Sequence, residues 1–346
     1  MSSGLLQHAP AAGSIILRAL CHPVDFFASV GPTVNELTFG LFGSSFEPQR
    51  DIGDLSGKVV LITGGNTGLG KETVLQLAHH RPSRIYLAAR NETKARDAIT
   101  SIQETLSEPV DIRHIPLDLA SFQSIHAAAK KFSVECDRLD LLILNAGVMA
   151  NPPGLTEEGF EIQLGTNYIG PFLLTKLLLP TLQKTVASAG PAPDVRIVTV
   201  SSLGHCAAPS FEVMTSTPSL LATGPFTRYA ASKAANVLFA SELARRYPEL
   251  LSVSLHPGVI ASELYNHTKA MGIILNMGVN FISLVSRTVR TGAMNQLWAS
   301  GTTRENLING GYYVPIGIRG SCRYTDDADM ARKLWEWTEK GIAERS

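Results

Sequence analysis

The sequence predicts an α/β fold, a doubly wound parallel sheet with helices on both faces, formed as one domain over residues 51–346 behind an extension of 50 residues. Three observations predict it. Strand-like and helix-like patterns alternate from Asp54 onward, as parallel strands joined by crossover helices require. The stretch 139–144 is apolar apart from Asp140, the pattern of a strand buried on both faces. A glycine-rich turn, Gly64-Gly-Asn-Thr-Gly-Leu-Gly70, separates the first strand pattern from the first helix pattern.

Residues 59–63 are apolar and rich in β-branched side chains, hence a strand. A helix follows over 69–80 and stops before Pro82. Strand 84–89, helix 92–106, strand 110–116, helix 121–136 and strand 139–144 come next. A long helical region from 157 to about 185 contains Gly165, Gly170, Pro171 and Pro180, so a kink or division is expected. Strand 196–200 leads to a Pro-, Ser- and Thr-rich stretch, 203–226, that reads as a surface insertion at a pocket rim. The Ala-rich segment from Tyr229 to about Arg246 is a helix, followed by strand 251–256, a last strand at 311–314 and a final helix over 328–340.

Two segments stand apart. Residues 1–50 carry apolar islands broken by Arg18, His22 and Asp25, well short of the ~20 residues needed to span a bilayer. Arg18, the first basic residue, falls inside the apolar stretch, which disfavours a secretory signal. The extension reads either as a surface-packed segment or as a weak membrane or partner anchor. In the charge-free stretch 270–286, Ile274, Leu275, Phe281, Ile282 and Val285 fall on one helical face, with Asn276, Asn280, Ser283 and Arg287 opposite. That face either packs on the domain or covers the substrate and touches a membrane, within a covering segment of about 259–290.

Composition narrows the function classes. The chain is 45% hydrophobic and 17% charged with zero net charge and pI about 7.1, so electrostatics give no argument for nucleic acid. Cys21, Cys136, Cys206 and Cys322 lie far apart, without the spacing of a metal site or a disulfide framework, and fit a reducing, cytoplasmic compartment.

Chemistry enters with Tyr229-Ala-Ala-Ser-Lys233. Positions four apart share a helix face, so phenol and ammonium project side by side. A phenol of reference pKa ~10 holds its proton too tightly near neutrality, and an adjacent ammonium favours the phenolate. Such a pair suits proton exchange with a carbonyl/alcohol couple. The glycine-rich turn adds an anion site: glycines let a pyrophosphate approach main-chain N–H groups at a helix N-terminus.

Together these residues resemble the short-chain dehydrogenase/reductase family, over most of the chain, from about Leu55 to Tyr313. Thr63, Gly64, Gly68 and Gly70 match its Thr-Gly-x-x-x-Gly-x-Gly cofactor loop, in which Asn66 and Leu69 also lie. The resemblance implies the nucleotide-binding Rossmann form of the predicted sheet. It further implies that Asp118 contacts adenine, that Asn145-Ala-Gly147 steadies the sheet and touches ribose, and that Val259 and Ser262, after Pro257-Gly258, meet the carboxamide end of the nicotinamide. Asn167, Ser202, Tyr229 and Lys233 match the catalytic tetrad, with Ser201 as the rival for the serine position. By this analogy Tyr229 donates or accepts the proton, Ser202 holds the substrate oxygen, Lys233 lowers the Tyr229 pKa and binds ribose, and Asn167 positions a water.

An NAD site of this type wants a carboxylate about 20 residues past the glycines. Here that place reads Leu87-Ala-Ala-Arg90, and a 2′-phosphate on Arg90 makes NADP(H) the expected cofactor, unless Arg90 is simply a surface arginine. Lys176 and His205 read as structural. The long rim and the run 196–205 resemble the retinol-dehydrogenase-like and WW-domain-oxidoreductase-like branch. The expected activity is an NADP-dependent alcohol/carbonyl oxidoreductase acting on a lipophilic retinoid-, steroid- or polyketide-like molecule in a tailoring pathway. The expected assembly is a homodimer paired through long central helices, with a peripheral contact to an intracellular membrane. The competing readings are an NADP(H)-binding redox sensor without turnover and a membrane-associated interaction protein.

Overall fold

The computed structural model describes residues 46–190, 193–258, 288–325 and 327–345. Of the expectations above, Val259, Ser262, the stretch 270–286 and nearly all of the extension fall outside the described residues.

A short helix α1 (Pro48–Asp51) precedes β1 (Val59–Thr63), α2 (Gly68–Ala78), β2 (Arg84–Ala89), α3 (Glu92–Gln103), β3 (Ile112–Pro116), α4 (Phe122–Glu135) and β4 (Leu141–Leu144). Next come α5 (Ile162–Leu164), a single π-helical turn (Gly165–Ile169) and α6 (Gly170–Ser188). After β5 (Arg196–Val200) and a 3-10 turn (Leu203–Ala207) lie α7 (Phe211–Met214), α8 (Thr217–Leu221) and α9 (Pro225–Arg246). The chain continues with β6 (Leu251–Leu255), α10 (Val289–Gly301), β7 (Tyr312–Val314), β8 (Ile318–Arg319) and α11 (Ala328–Ala343).

The eight strands form one sheet in the order β3-β2-β1-β4-β5-β6-β7-β8. Every pairing is parallel except β7 with β8. Strand order reverses between β1 and β4, the switch point beside which ligands bind in doubly wound sheets. β1, β4, β5 and β6 are buried at every position; β1 and β4 accordingly read as apolar runs, while β5 and β6 also bury Arg196, Thr199, Ser252 and Ser254. Edge strand β3 mixes buried Ile112 and Ile115 with accessible Arg113, His114 and Pro116 instead. One core lies between the sheet and α4, α6, α9 and α11, with Phe132, Phe172, Phe239 and Trp335 among its large side chains. The second joins the other face to α2, α3 and α10 through Val74, Leu77, Ile102 and Leu297.

Several expectations need correction. The long central helix begins at Ile162 and not at residue 157. Gly159, at φ +81°, turns the chain, and Glu161 caps the helix by accepting from the Gln163 and Leu164 amides. The division falls at the π turn, while α6 continues through Pro180. The insertion 203–226 is built in: it folds into α7 and α8, whose Met214 and Leu220 are buried. Helix α10 was not anticipated, because its buried Asn295, Gln296 and Ser300 interrupt the apolar pattern. Helix α9 is buried on all sides from Arg228 to Ala240, and α11 packs along it.

Candidate active site

The site is assembled where strands end. Thr63 closes β1, and its hydroxyl accepts from the Asn145 and Ala146 amides (3.1 and 3.0 Å) just beyond β4. The Asn145 amide group returns to the Thr63 carbonyl at 2.9 Å, so the two strand ends on either side of the switch point are stitched together. The glycine-rich turn lies over this stitch. Gly64 sits at φ +70° and Gly68 at +52°, conformations that disfavour a side chain. A Cβ on Gly70 would lie 2.2 Å from the Gly64 carbonyl oxygen and 2.6 Å from Asn145 Nδ2. Thr67 makes no side-chain cap on α2, so the first amides of that helix stay open to an anion, with Asn66 and Leu69 flanking them. This cradle fits a pyrophosphate.

At the ends of β2 and β3, Arg90 is 77% exposed and pairs loosely with Asp118 at 3.6 Å. Asp118 also accepts from the Ala120 amide at 2.9 Å. An ion pair this exposed is worth ~0–1 kcal/mol and exchanges readily for a stronger anion.

Helix α9 carries the reacting candidates. Tyr229 and Lys233 share one face, with the ammonium 5.6 Å from the phenol ring centroid. Lys233 is 4% exposed and donates to the Val200 carbonyl at 3.0 Å, beside Asn236, which donates to the same oxygen. Burial lowers the Lys233 ammonium from its ordinary 10.5 to about 8. Ser202 follows β5, and its Oγ accepts from the Gly204 amide at 3.1 Å, leaving its own O–H to donate elsewhere. A Cβ placed on Gly204 would lie 3.2 Å from the Tyr229 ring and 3.4 Å from Ser202 Oγ, so phenol ring and hydroxyl flank the same backbone atom. Ser201 is committed otherwise: buried, it donates to the Lys233 carbonyl at 2.7 Å.

Asn167 lies in the π turn, 1% exposed. Its side chain accepts from the Val148 amide (2.7 Å) and donates to the Val148 carbonyl and to Ser232 Oγ (2.9 Å each). Ser232 in turn donates to the Tyr229 carbonyl. Gly147 lets these groups approach, since a Cβ there would lie 3.2 Å from Asn167 Oδ1 and 3.4 Å from Lys233 Nζ. Met149, Ala150 and Phe226 pack with Tyr229 into a small apolar cluster. Lys176 pairs with Glu339 at 2.7 Å, and His205 is 1% exposed against Tyr312. Sequence reasoning missed Glu161, Gln163 and Arg228, all buried beside this site. The available signal was a pair of opposite charges, one of them adjacent to Tyr229.

Comparison with known proteins agrees with this geometry. A family model described as short chain dehydrogenase matches residues 58–271. A short-chain dehydrogenase/reductase of Armillaria gallica is 40% identical, covering 84% of this chain and 91% of its own length. Human retinol dehydrogenase 13 is 38% identical, covering 81% and 83% respectively. Among solved structures, a protein from Mycobacterium paratuberculosis superposes with TM-score 0.64 at 29% identity, over 85% of this chain and 97% of that one. L-Sorbose reductase from Gluconobacter frateurii, complexed with NADPH and L-sorbose, shares the fold at TM-score 0.58 and 19% identity, over 77% and 97%. A glycine-rich cradle at the switch point, a Tyr–Lys pair on one helix face and these matches lead to one assignment: the chain belongs to the short-chain dehydrogenase/reductase family of oxidoreductases, which bind a nicotinamide cofactor.

Proposed function

We propose that this oxidoreductase uses NADP(H) to interconvert an alcohol and a carbonyl on a lipophilic small molecule. The observation that carries the reading is the meeting of Tyr229, Ser202 and Lys233 at the strand ends beside the glycine cradle. A bound nicotinamide would supply or take up hydride at that place. Tyr229 gives its proton to the substrate oxygen in reduction and recovers it in oxidation. Ser202 donates a hydrogen bond to the same oxygen. Lys233, held by Val200, would offer its remaining N–H groups to ribose hydroxyls of a bound nucleotide and favours the phenolate when protonated. Asn167 fixes the loop after β4 through Val148, a role that its side-chain bonds support more directly than the positioning of a water.

Arg90 favours NADP(H), since its exposed guanidinium stands at the end of β2 where an NAD site would place a carboxylate. The apolar wall of Met149, Ala150 and Phe226 around the phenol favours an apolar substrate, as does the likeness to retinol dehydrogenases. Tyr229→Phe should abolish turnover across a panel of retinoid, steroid and aromatic carbonyls while cofactor binding, read by nucleotide fluorescence, persists. Retained turnover in that variant would sink the assignment of the proton donor. Tighter binding of NADH than of NADPH in the same titration would overturn the cofactor choice.

A further inference from the structure

The residues missed by sequence reasoning form one connected group. Arg228, immediately before Tyr229, is 1% exposed, and Glu161 is 0% exposed. The guanidinium lies 3.1 Å from the Glu161 carboxylate and donates to the Thr223 carbonyl at 2.6 Å and the Asn151 carbonyl at 2.8 Å. The other Glu161 oxygen receives the Gln163 and Leu164 amides, which fixes the start of the helix that leads to Asn167. Gln163, also fully buried, accepts from the Ala150 amide at 3.0 Å and donates to the Pro225 carbonyl at 2.9 Å.

Besides the helix start at Gln163 and Leu164, the backbone groups these side chains hold lie in two places: Ala150 and Asn151 in the loop Val148–Asn151 after β4, and the entry to α9 at Thr223 and Pro225. That loop carries strain. Ala150 sits at φ +56°, a left-handed conformation that a residue with a Cβ adopts only when its surroundings impose it. Its neighbour Met149 packs in the cluster that contains Tyr229. A buried ion pair is a poor device for stability alone, because an apolar pair of similar volume often does as well. Here it also ends on the loop that borders the phenol.

We propose that Arg228, acting through Glu161 and Asn151, is a positioning residue that locks the strained loop Val148–Asn151 against Tyr229 and so sets the placement of the substrate carbonyl. The inference rests on the alcohol/carbonyl reading of the site. Lysine cannot replace arginine here, because a single ammonium cannot reach the carboxylate and two carbonyls in the planar fork that this site presents.

The test uses the full chain, NADPH, and two probe carbonyls, all-trans-retinal and 9,10-phenanthrenequinone. Turnover is expressed per NADPH-competent site, counted by fluorescence titration, so that a loss of folded protein does not count as a loss of rate. In Arg228→Lys, kcat should fall on the order of 10- to 100-fold while NADPH affinity changes by no more than about twofold. Amide exchange at Val148, Ala150 and Asn151 should quicken in the same variant. Arg228→Ala should regain part of its rate when methylguanidinium is added. Should either variant fail to fold, Glu161→Gln is read by the same criteria. Wild-type turnover with kcat per competent site unchanged in the variants overturns the positioning role alone. Absence of wild-type turnover with both probes overturns the redox reading and this inference with it.

Discussion

Lys233 holds a charge that burial opposes, and its ammonium titrates near 8 instead of 10.5. The unfolded chain keeps that proton up to about 10.5 and the folded chain releases it near 8, so unfolding takes up a proton in between. The cost of burying the ammonium is therefore fully present below pH 8 and disappears as pH rises toward 10.5. For the cofactor-free protein the Lys233 contribution should raise stability across that window by roughly 3 kcal/mol. Lys233→Met should flatten the rise and be more stable than wild type at pH 7 in urea titrations, though catalytically dead. A variant less stable at pH 7 would mean that the Val200 hydrogen bond outweighs the desolvation. The Tyr229–Lys233 pair was legible from spacing alone, because a helix places positions four apart on one face. The direction of the Lys233 shift was not, since it depends on how completely α9 is covered.

At the scale of elements, the glycine cradle and the central helix show where sequence reasoning succeeds and where it fails. The cradle was legible because its geometry is written in missing side chains. Gly70→Ala should place a methyl 2.2 Å from the Gly64 carbonyl oxygen, where backbone and not a flexible side chain must move. The overpacking should cost about 1–3 kcal/mol of stability. NADPH binding should weaken by about tenfold or more, corresponding to ~1.4 kcal/mol lost at the site itself. Unchanged nucleotide affinity would show that the turn adapts freely. The start of the central helix was misplaced because Glu157 and Glu158 look like a helix's first acidic turn. They serve instead as acceptors for Ser121 and Phe122 at the head of α4. The π turn was legible only as glycines within a helix, a signal that marks a departure without naming its form. The Glu161–Arg228 brace was hidden because the two partners are far apart in sequence and their meeting is a tertiary event.

For the molecule as a whole, two cores flank one sheet, and the C-terminal helix closes the larger of them. Trp335 is 1% exposed, stacks on Phe239 at 5.9 Å, meets Phe172 at 4.6 Å, and lies under Arg246 and Lys176. Trp335→Ala should cost ~3–5 kcal/mol in denaturant titrations while the surviving folded protein keeps its nucleotide affinity, because the cradle lies at the strand ends and not under α11. A smaller loss would mean that α11 is dispensable to the core. The doubly covered parallel sheet was legible because β1 and β4, buried at every position, read as apolar runs between helix patterns. The way α11 seals α9 was not, since nothing in 328–340 says which helix it will cover. That seal constrains how new specificities can arise in this scaffold. From Arg228 to Ala240 every residue is buried, so a change of side-chain volume there opens or overfills the interior, and Tyr229 and Lys233 stand on a fixed post. Retargeting the protein to a substrate of different shape then means redrawing the loops that face the post, and libraries aimed at α9 itself should return mostly unfolded clones.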